Sequence, residues 1–456
     1  MWAGQPEAAG TGFSGVRLSF SPACLYAPSF LTNLQRYSFV YPVPQEVLMA
    51  ESANKDTGQT KPRKVKYRKT KASWNPAMQA IPVSGIRRLV NMASTMKDVI
   101  HLSIGQPDLP TPKHVIDAYI DALNAGQTGY TMDAGLPELL VALRDYYGKR
   151  YNRKLTRDNI LVTSGATEAM YLAISATSAP GRQFIVTDPS FLLYAPLIRM
   201  TGGEVKFVPT RAENNHQLDP DDVIRAMGSR TFALILNNPN NPTGAVYPRS
   251  TVETILEECA YRGIQVYADE VYDHLIFDDD DFASVLNCSM DLDNIMCISS
   301  FSKTYSMAGL RVGWVISSQA AIKSLRRYHM FTTSVANTPS QFAGVAALTA
   351  DQQCVQDMVD IYRERRDKVV ELIDQTPYLT GYKPGGAFFA FPDLPPHVDG
   401  SDLALRMLKE TGVCVVPGDA FGEHCTNALR FSFSTTCERM EEAFDRIIPW
   451  MAKQQF

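Results

Sequence analysis

The chain lacks any uninterrupted apolar window near the roughly 18 residues that a membrane span needs, although 45% of its residues are hydrophobic. It also has little net charge, −4, with 44 Lys and Arg against 48 Asp and Glu. No global field therefore draws it to nucleic acid or to an anionic membrane. Cysteines are few and scattered (Cys24, Cys259, Cys288, Cys297, Cys354, Cys414, Cys425, Cys437) and form no CxxC pair. That spacing excludes a disulfide frame and suits the reduced thiols of an intracellular, cytoplasmic protein. The seven histidines are dispersed too, so no metal site is expected. What is present is ordinary globular composition over 456 residues, enough for two or three domains.

Residues 1–75 stand apart. Residues 1–48 carry only Glu7, Glu46, Arg17 and Arg36 as charges and show little periodicity, and Lys61 to Lys71 holds seven Lys or Arg in eleven positions. Scarce acids would suit organelle targeting by 1–48, but arginine is scarce as well. The basic run would suit a nucleic-acid arm, yet no folded reader accompanies it. The reading adopted is a disordered N-terminal extension over 1–75. Met49 opens a second candidate start.

From about Trp74 the pattern is regular. Apolar runs at 159–163, 184–187, 205–208, 232–236, 264–268, 295–299 and 312–316 alternate with helical segments at 167–177, 220–227 and 250–262. Ser250 and Glu253 suggest a capping box for the last of these, and Gly263 a stop. Near-continuous rather than alternating apolar runs imply a mostly parallel sheet covered on both faces, with ligands at the carboxyl ends of its strands. After about residue 346 the pattern becomes α+β, with a long helix over 352–373, a strand at 413–416, another at 429–433 and a closing helix from Glu438. The expected class is α/β: a large domain with a mostly parallel seven-stranded sheet (116–345), and a smaller α+β domain built from 76–115 and 346–456.

The strand ends carry the chemistry. Ser299 to Trp314 reads SSFSKTYSMAGLRVGW and sets Lys303 among hydroxyls with Arg311 eight residues on. Such an amine suits a Schiff base to an aldehyde cofactor bearing a phosphate; taken alone, a solvated surface lysine explains it equally well. At 163–168, TSGATE joins a strand to a helix, as a phosphate cradle or an ordinary tight turn would. Asp269 follows an apolar run and would need a cationic partner such as a pyridinium nitrogen.

Nine segments in order, IGQPDLPTP, YTMDAGLPEL, TSGATEA, DPSF, NNPNNPTG, YADEVY, SFSKTYSMAGLRVGW, PGGAFFAF and NALRFSF, give the chain a close resemblance to the class I/II aminotransferases of fold type I. That resemblance implies pyridoxal 5′-phosphate as cofactor, Lys303 as the Schiff-base and proton-shuttling amine, and Asp269 under the ring nitrogen. It implies Asn241 and Tyr272 at the ring oxygen and Phe191 stacked on the ring. Ala166, Thr167, Ser300, Ser302 and Arg311 would surround the phosphate. Tyr130 would reach the phosphate of a second subunit, in a homodimer with shared sites. Arg430 would clamp the substrate carboxylate, with Gly105 beside it.

Thr167 departs from one subgroup of aspartate and prephenate enzymes, which carry a lysine there. This favours a neutral or aromatic L-amino acid as donor and a 2-oxo acid as acceptor, with Arg326 and Arg327 as the remaining candidates for a distal cation. The same constellation also serves lyases, and a ligand-sensing regulator with a basic N-terminal arm is a further alternative, though no helix-turn-helix precedes residue 75.

Overall fold

Strands form where the apolar runs are enclosed on both faces, and the computed structural model shows twelve of them among the residues it describes, 85–456 apart from 279, 280 and 290. The tail, the targeting segment, the basic arm and the second start lie outside the described residues. In chain order the strands are β1 (Ile100–His101), β2 (Ile160–Thr163), β3 (Gln183–Asp188), β4 (Glu204–Pro209), β5 (Thr231–Asn237), β6 (Gln265–Asp269), β7 (Ile295–Ser300), β8 (Gly313–Ile316), β9 (Phe389–Ala390), β10 (Val413–Cys414), β11 (Val416–Pro417) and β12 (Leu429–Ser432).

Seven of them make one sheet in the order β2-β8-β7-β6-β5-β3-β4. Only β8 runs against its neighbours. The other six therefore end on the same edge, and the reversal of β8 brings its amino end to that edge as well. Each side of the sheet has its own apolar cluster, one around Leu139, Leu234 and Val266, the other around Leu172, Phe184 and Ile298. A fully buried Leu, Ile or Val adds roughly 1.5–3 kcal/mol, so these two layers hold the sheet between its helices.

A third cluster, including Leu102, Phe388, Phe431 and Phe444, belongs to a smaller body. There β1 pairs in parallel with β10, and β11-β12-β9 form an antiparallel sheet. Ser432 N also donates to Leu102 O at 2.7 Å. The segment around residue 100 is thereby tied to the last fifty residues. Arg365 grips Asp108 with two bonds of 2.7 and 3.0 Å, which fixes the turn that carries Gly105.

Two local expectations are corrected. The run 413–416 is not one strand: it breaks at Val415, and its halves pair in different sheets, with β1 and with β12. An unbroken apolar run conceals such a break because both halves are buried. The helix expected over 250–262 begins a residue earlier (Arg249–Arg262) and has no side-chain cap. Asp281 Oδ2, from a neighbouring loop, accepts Arg249 N at 3.2 Å, and Glu253 is engaged by Arg249 Nη1 at 3.1 Å. A tertiary contact thus replaces the local box; the helix does end at Gly263.

Candidate active site

A cavity of about 310 Å³ opens on the carboxyl edge of the sheet. Twelve of the thirteen residues expected at the site line it; Tyr130 does not. The topology explains the convergence. Ala166 and Thr167 follow β2, Phe191 follows β3, and Asn241 follows β5. Asp269 ends β6, Ser300 ends β7, and Arg311 precedes the reversed β8. From the smaller body come Gly105 and, on β12, Arg430.

At the centre, Lys303 sits on the short helix Phe301–Thr304, which Ser300 caps by accepting Ser302 N at 3.3 Å. Its Nζ donates to Gly105 O at 2.5 Å. Burial of the amine, helped by the charges of Arg430 and Arg311 and opposed by Asp269, lowers its pKa to about 8.

At one end, Asp269 is buried, and its Oδ2 accepts the hydroxyl of Tyr194 at 2.6 Å. Burial raises this carboxyl, while the Tyr194 hydroxyl, the Val271 N–H and the charge of Lys303 favour the ionised form. Among the described residues no guanidinium or ammonium is bonded to it. Tyr194 lines the cavity too and was not singled out from the sequence. The available signal was its place on the first helical turn after DPSF, where its ring meets Phe191 edge-on at 5.7 Å. Tyr272 is buried beside Asp269, and burial pushes its hydroxyl well above the usual range.

At the other end, the helix Ala166–Thr177 points its amino terminus at the cavity from Gly165, whose φ is +86°. A Cβ on Gly165 would lie 2.4 Å from Arg311 Nη2, so only glycine lets the guanidinium lie over the helix start. Arg311 itself donates to Ala308 O at 2.9 Å and Ser164 O at 3.3 Å. The first-turn acid, Glu168, is turned away and accepts Ser164 N at 2.6 Å.

Arg430 is buried. Nη1 donates to Asn241 Oδ1 at 3.0 Å and Nη2 to Ser103 O at 2.8 Å, while Nε has no acceptor among the described residues. Burial lowers its pKa to about 10. Arg326 and Arg327 do not reach this cavity. Arg326 is bound by Asp133 through bonds of 3.1 and 2.5 Å and lines a separate cavity, and Arg327 is exposed. Tyr130 is 90% exposed.

These residues fit pyridoxal phosphate. A glycine-based cradle with a helix terminus and an arginine matches a phosphate, a buried carboxyl without a cation matches a pyridinium nitrogen, and an amine of lowered pKa matches the aldehyde. The orphaned Nε of Arg430 matches a carboxylate oxygen.

Among the described residues no helix is long and apolar enough to cross a membrane. Residues 97–447 match the family model described as aminotransferase class I and II. The aspartate aminotransferase of Thermotoga maritima is 36% identical over 80% of this chain and 96% of its own length. Two solved structures superpose closely: an alanine aminotransferase from Pyrococcus furiosus (TM-score 0.80, 30% identity, 84% of this chain and all of the other) and an aromatic aminotransferase from Pyrococcus horikoshii (0.76, 32%, 80% and 99%). With a family match across most of its length and the fold to go with it, the chain belongs to the class I and II aminotransferases, the fold type I transaminases that depend on pyridoxal 5′-phosphate.

Proposed function

We propose that the chain moves the amino group of a neutral L-amino acid, aromatic ones included, to a 2-oxo acid in two ping-pong half-reactions at the cavity. The observation that carries this reading is the charge inventory of the lining. Its cations are Lys303, Arg311 and Arg430, and each has a task at the amine, the phosphate or the α-carboxylate. The rest of the wall includes Met170, Leu192, Leu193 and Val271. A second carboxylate on the substrate would be desolvated there with no partner, since Arg326 is held by Asp133.

When bound, pyridoxal phosphate supplies an aldehyde that takes the amine and a ring that draws electrons from the substrate's Cα. The protein supplies the rest. Arg311, Ser300, Ser302, Ala166 and Thr167 would hold the phosphate. Asp269 would sit at the ring nitrogen, with Asn241 and Tyr272 at the ring oxygen and Phe191 against its face. Arg430 takes the α-carboxylate in two parallel bonds, with Gly105 beside it. Lys303 Nζ would take the proton from the substrate's Cα and deliver it to the cofactor's aldehyde carbon, with the reverse transfer in the second half-reaction, and Gly105 O steadies that amine.

The test is a panel of donors, each followed in a single turnover by loss of the yellow cofactor band. Alanine and aromatic amino acids should convert the cofactor, with kcat/KM for aspartate lower by on the order of a hundredfold or more. Aspartate reacting as fast as the best neutral donor would refute the substrate class, and release of ammonia without an amino form of the cofactor would refute transamination itself.

The working unit in this reading is a homodimer. Tyr130 is exposed and reaches the partner's phosphate, and Ile116, Ile120 and Leu123 lie exposed at helical spacing on Lys113–Asn124, ready for a second copy. Sedimentation at micromolar concentration should give twice 50.6 kDa; an active species at the monomer mass would count against it.

A further inference from the structure

We propose that Phe421 and the carboxylate of Asp188 are positioning residues for Arg430; the inference rests on Arg430 binding the substrate carboxylate, as read above. The Arg430 guanidinium lies between two rings, 4.3 Å from the centroid of Phe389 and 4.7 Å from that of Phe421. A guanidinium held between rings can donate only through its in-plane edges. Two donors are already used on Asn241 and Ser103, and the buried Nε is left for a ligand.

The two rings are held differently. Phe389 belongs to β9 and is fixed by the sheet. Phe421 lies in the 418–428 connection between β11 and β12, and Asp188, at the end of β3, holds that connection. The Asp188 side chain is fully buried and does not line the cavity. Its Oδ2 accepts the N–H groups of Glu423 and His424 at 3.0 and 3.3 Å, and His424 Nδ1 lies 2.6 Å from the same oxygen. Cys425 Sγ is 3.8 Å from Oδ1. The loop sits so close that a Cβ on Gly422 would fall 1.6 Å from Oδ1. Ser190 N adds a bond to Phe421 O at 2.8 Å. A buried carboxylate is thus satisfied almost wholly by one loop. It locks the segment bearing Phe191, on the cofactor side, to the loop bearing Phe421, on the carboxylate side. Such a latch sets the plane of Arg430 before the substrate arrives.

The experiment compares phenylalanine with phenethylamine, the same donor without its carboxylate, in single turnovers of the cofactor-loaded full chain. Phe421→Leu should reduce the preference for phenylalanine roughly tenfold through KM, with kcat and the phenethylamine rate within twofold. Phe421→Tyr, which keeps the ring face, should restore the preference. Asp188→Asn should reduce it roughly threefold. His424→Ala should do the same, and because that side chain is 62% exposed the change opens no cavity in the core. Arg430→Gln is measured alongside. If it removes the preference while Phe421→Leu and Asp188→Asn leave it intact, or if those variants slow both donors equally, the inference is overturned. If Arg430→Gln itself changes nothing, the assignment of the carboxylate site falls first.

Discussion

Replacing Lys303 with alanine is expected to lower the transamination rate by roughly four orders of magnitude or more while the protein still binds pyridoxal phosphate. In the proposed function two tasks meet on this one nitrogen: it would join the cofactor aldehyde, and it would carry the Cα proton. The neighbouring groups are poor replacements: Tyr272 has its hydroxyl pushed well up by burial, Arg430 keeps its proton even at a pKa of about 10, and the Asp269 carboxyl is bonded to Tyr194. Retention of the cofactor follows from geometry, since the cradle of Gly165 and Arg311 and the acid at Asp269 do not depend on the lysine. The pH dependence is a second measure of the same claim. Burial and the charges of Arg430 and Arg311 lower the pKa of Lys303 from 10.5 to about 8, and the neutral amine is the form that attacks an aldehyde. The rate at which cofactor-free protein recombines with pyridoxal phosphate should therefore climb with pH and level off above about 8, rather than continuing to climb past 10 as a solvated lysine would. A Lys303→Ala protein within tenfold of the parent rate would remove the assignment.

Much of the site was legible because α/β sheets deliver their strand ends to one edge. Lys303, Asp269, Asn241 and Ala166 stand at or just beyond the ends of apolar runs, the resemblance to the aminotransferases implies that they share a site, and they line one cavity. What stayed hidden depends on direction and on distant partners. Nothing in the composition of 312–316 says that β8 runs backwards, yet that reversal delivers Arg311 to Gly165. Thr338–Thr349 was not expected as a helix because it has no polar face to set a period; it packs between Lys113–Asn124 and Pro137–Tyr151 with Gln341, Ala343 and Ala347 all buried. The start of Arg249–Arg262 depends on Asp281, thirty-two residues away, and the capture of Arg326 on Asp133, 193 residues away. Tyr194 carries no motif of its own beyond its place after DPSF, and its bond to Asp269 shows only in the folded chain. Local propensity reports none of these contacts.

Asp269→Asn should lower the rate of the donor half-reaction on the order of a thousandfold and at the same time make the cofactor-free protein more stable at neutral pH. The two effects share one cause. Burial raises the pKa of this carboxyl, so the folded chain disfavours its ionised form, and only the Tyr194 hydroxyl, the Val271 N–H and the charge of Lys303 offset that. Asparagine has the same shape and can still accept from Tyr194, giving up only the long 3.4 Å contact in which Oδ1 accepts Val271 N–H, so packing survives and the difference reports mainly charge. For the chemistry, the missing charge is the one that would keep the ring nitrogen protonated. For stability the sign is set by linkage: a carboxyl whose folded pKa lies above its unfolded value lowers stability once the pH exceeds the unfolded value, and that loss disappears as the pH falls below both. The cofactor-free variant should therefore melt a few degrees higher than the parent at pH 7, with the gap closing toward acid. Tyr194→Phe should move the melting temperature the other way at pH 7, because it takes a donor from the buried carboxylate. Calorimetry of the three cofactor-free proteins at pH 7 and pH 4, with single turnovers of the loaded ones, checks both halves. An Asp269→Asn protein that turns over within tenfold of the parent, or melts lower at pH 7, would show that this acid is not the buried charge held in reserve for the cofactor.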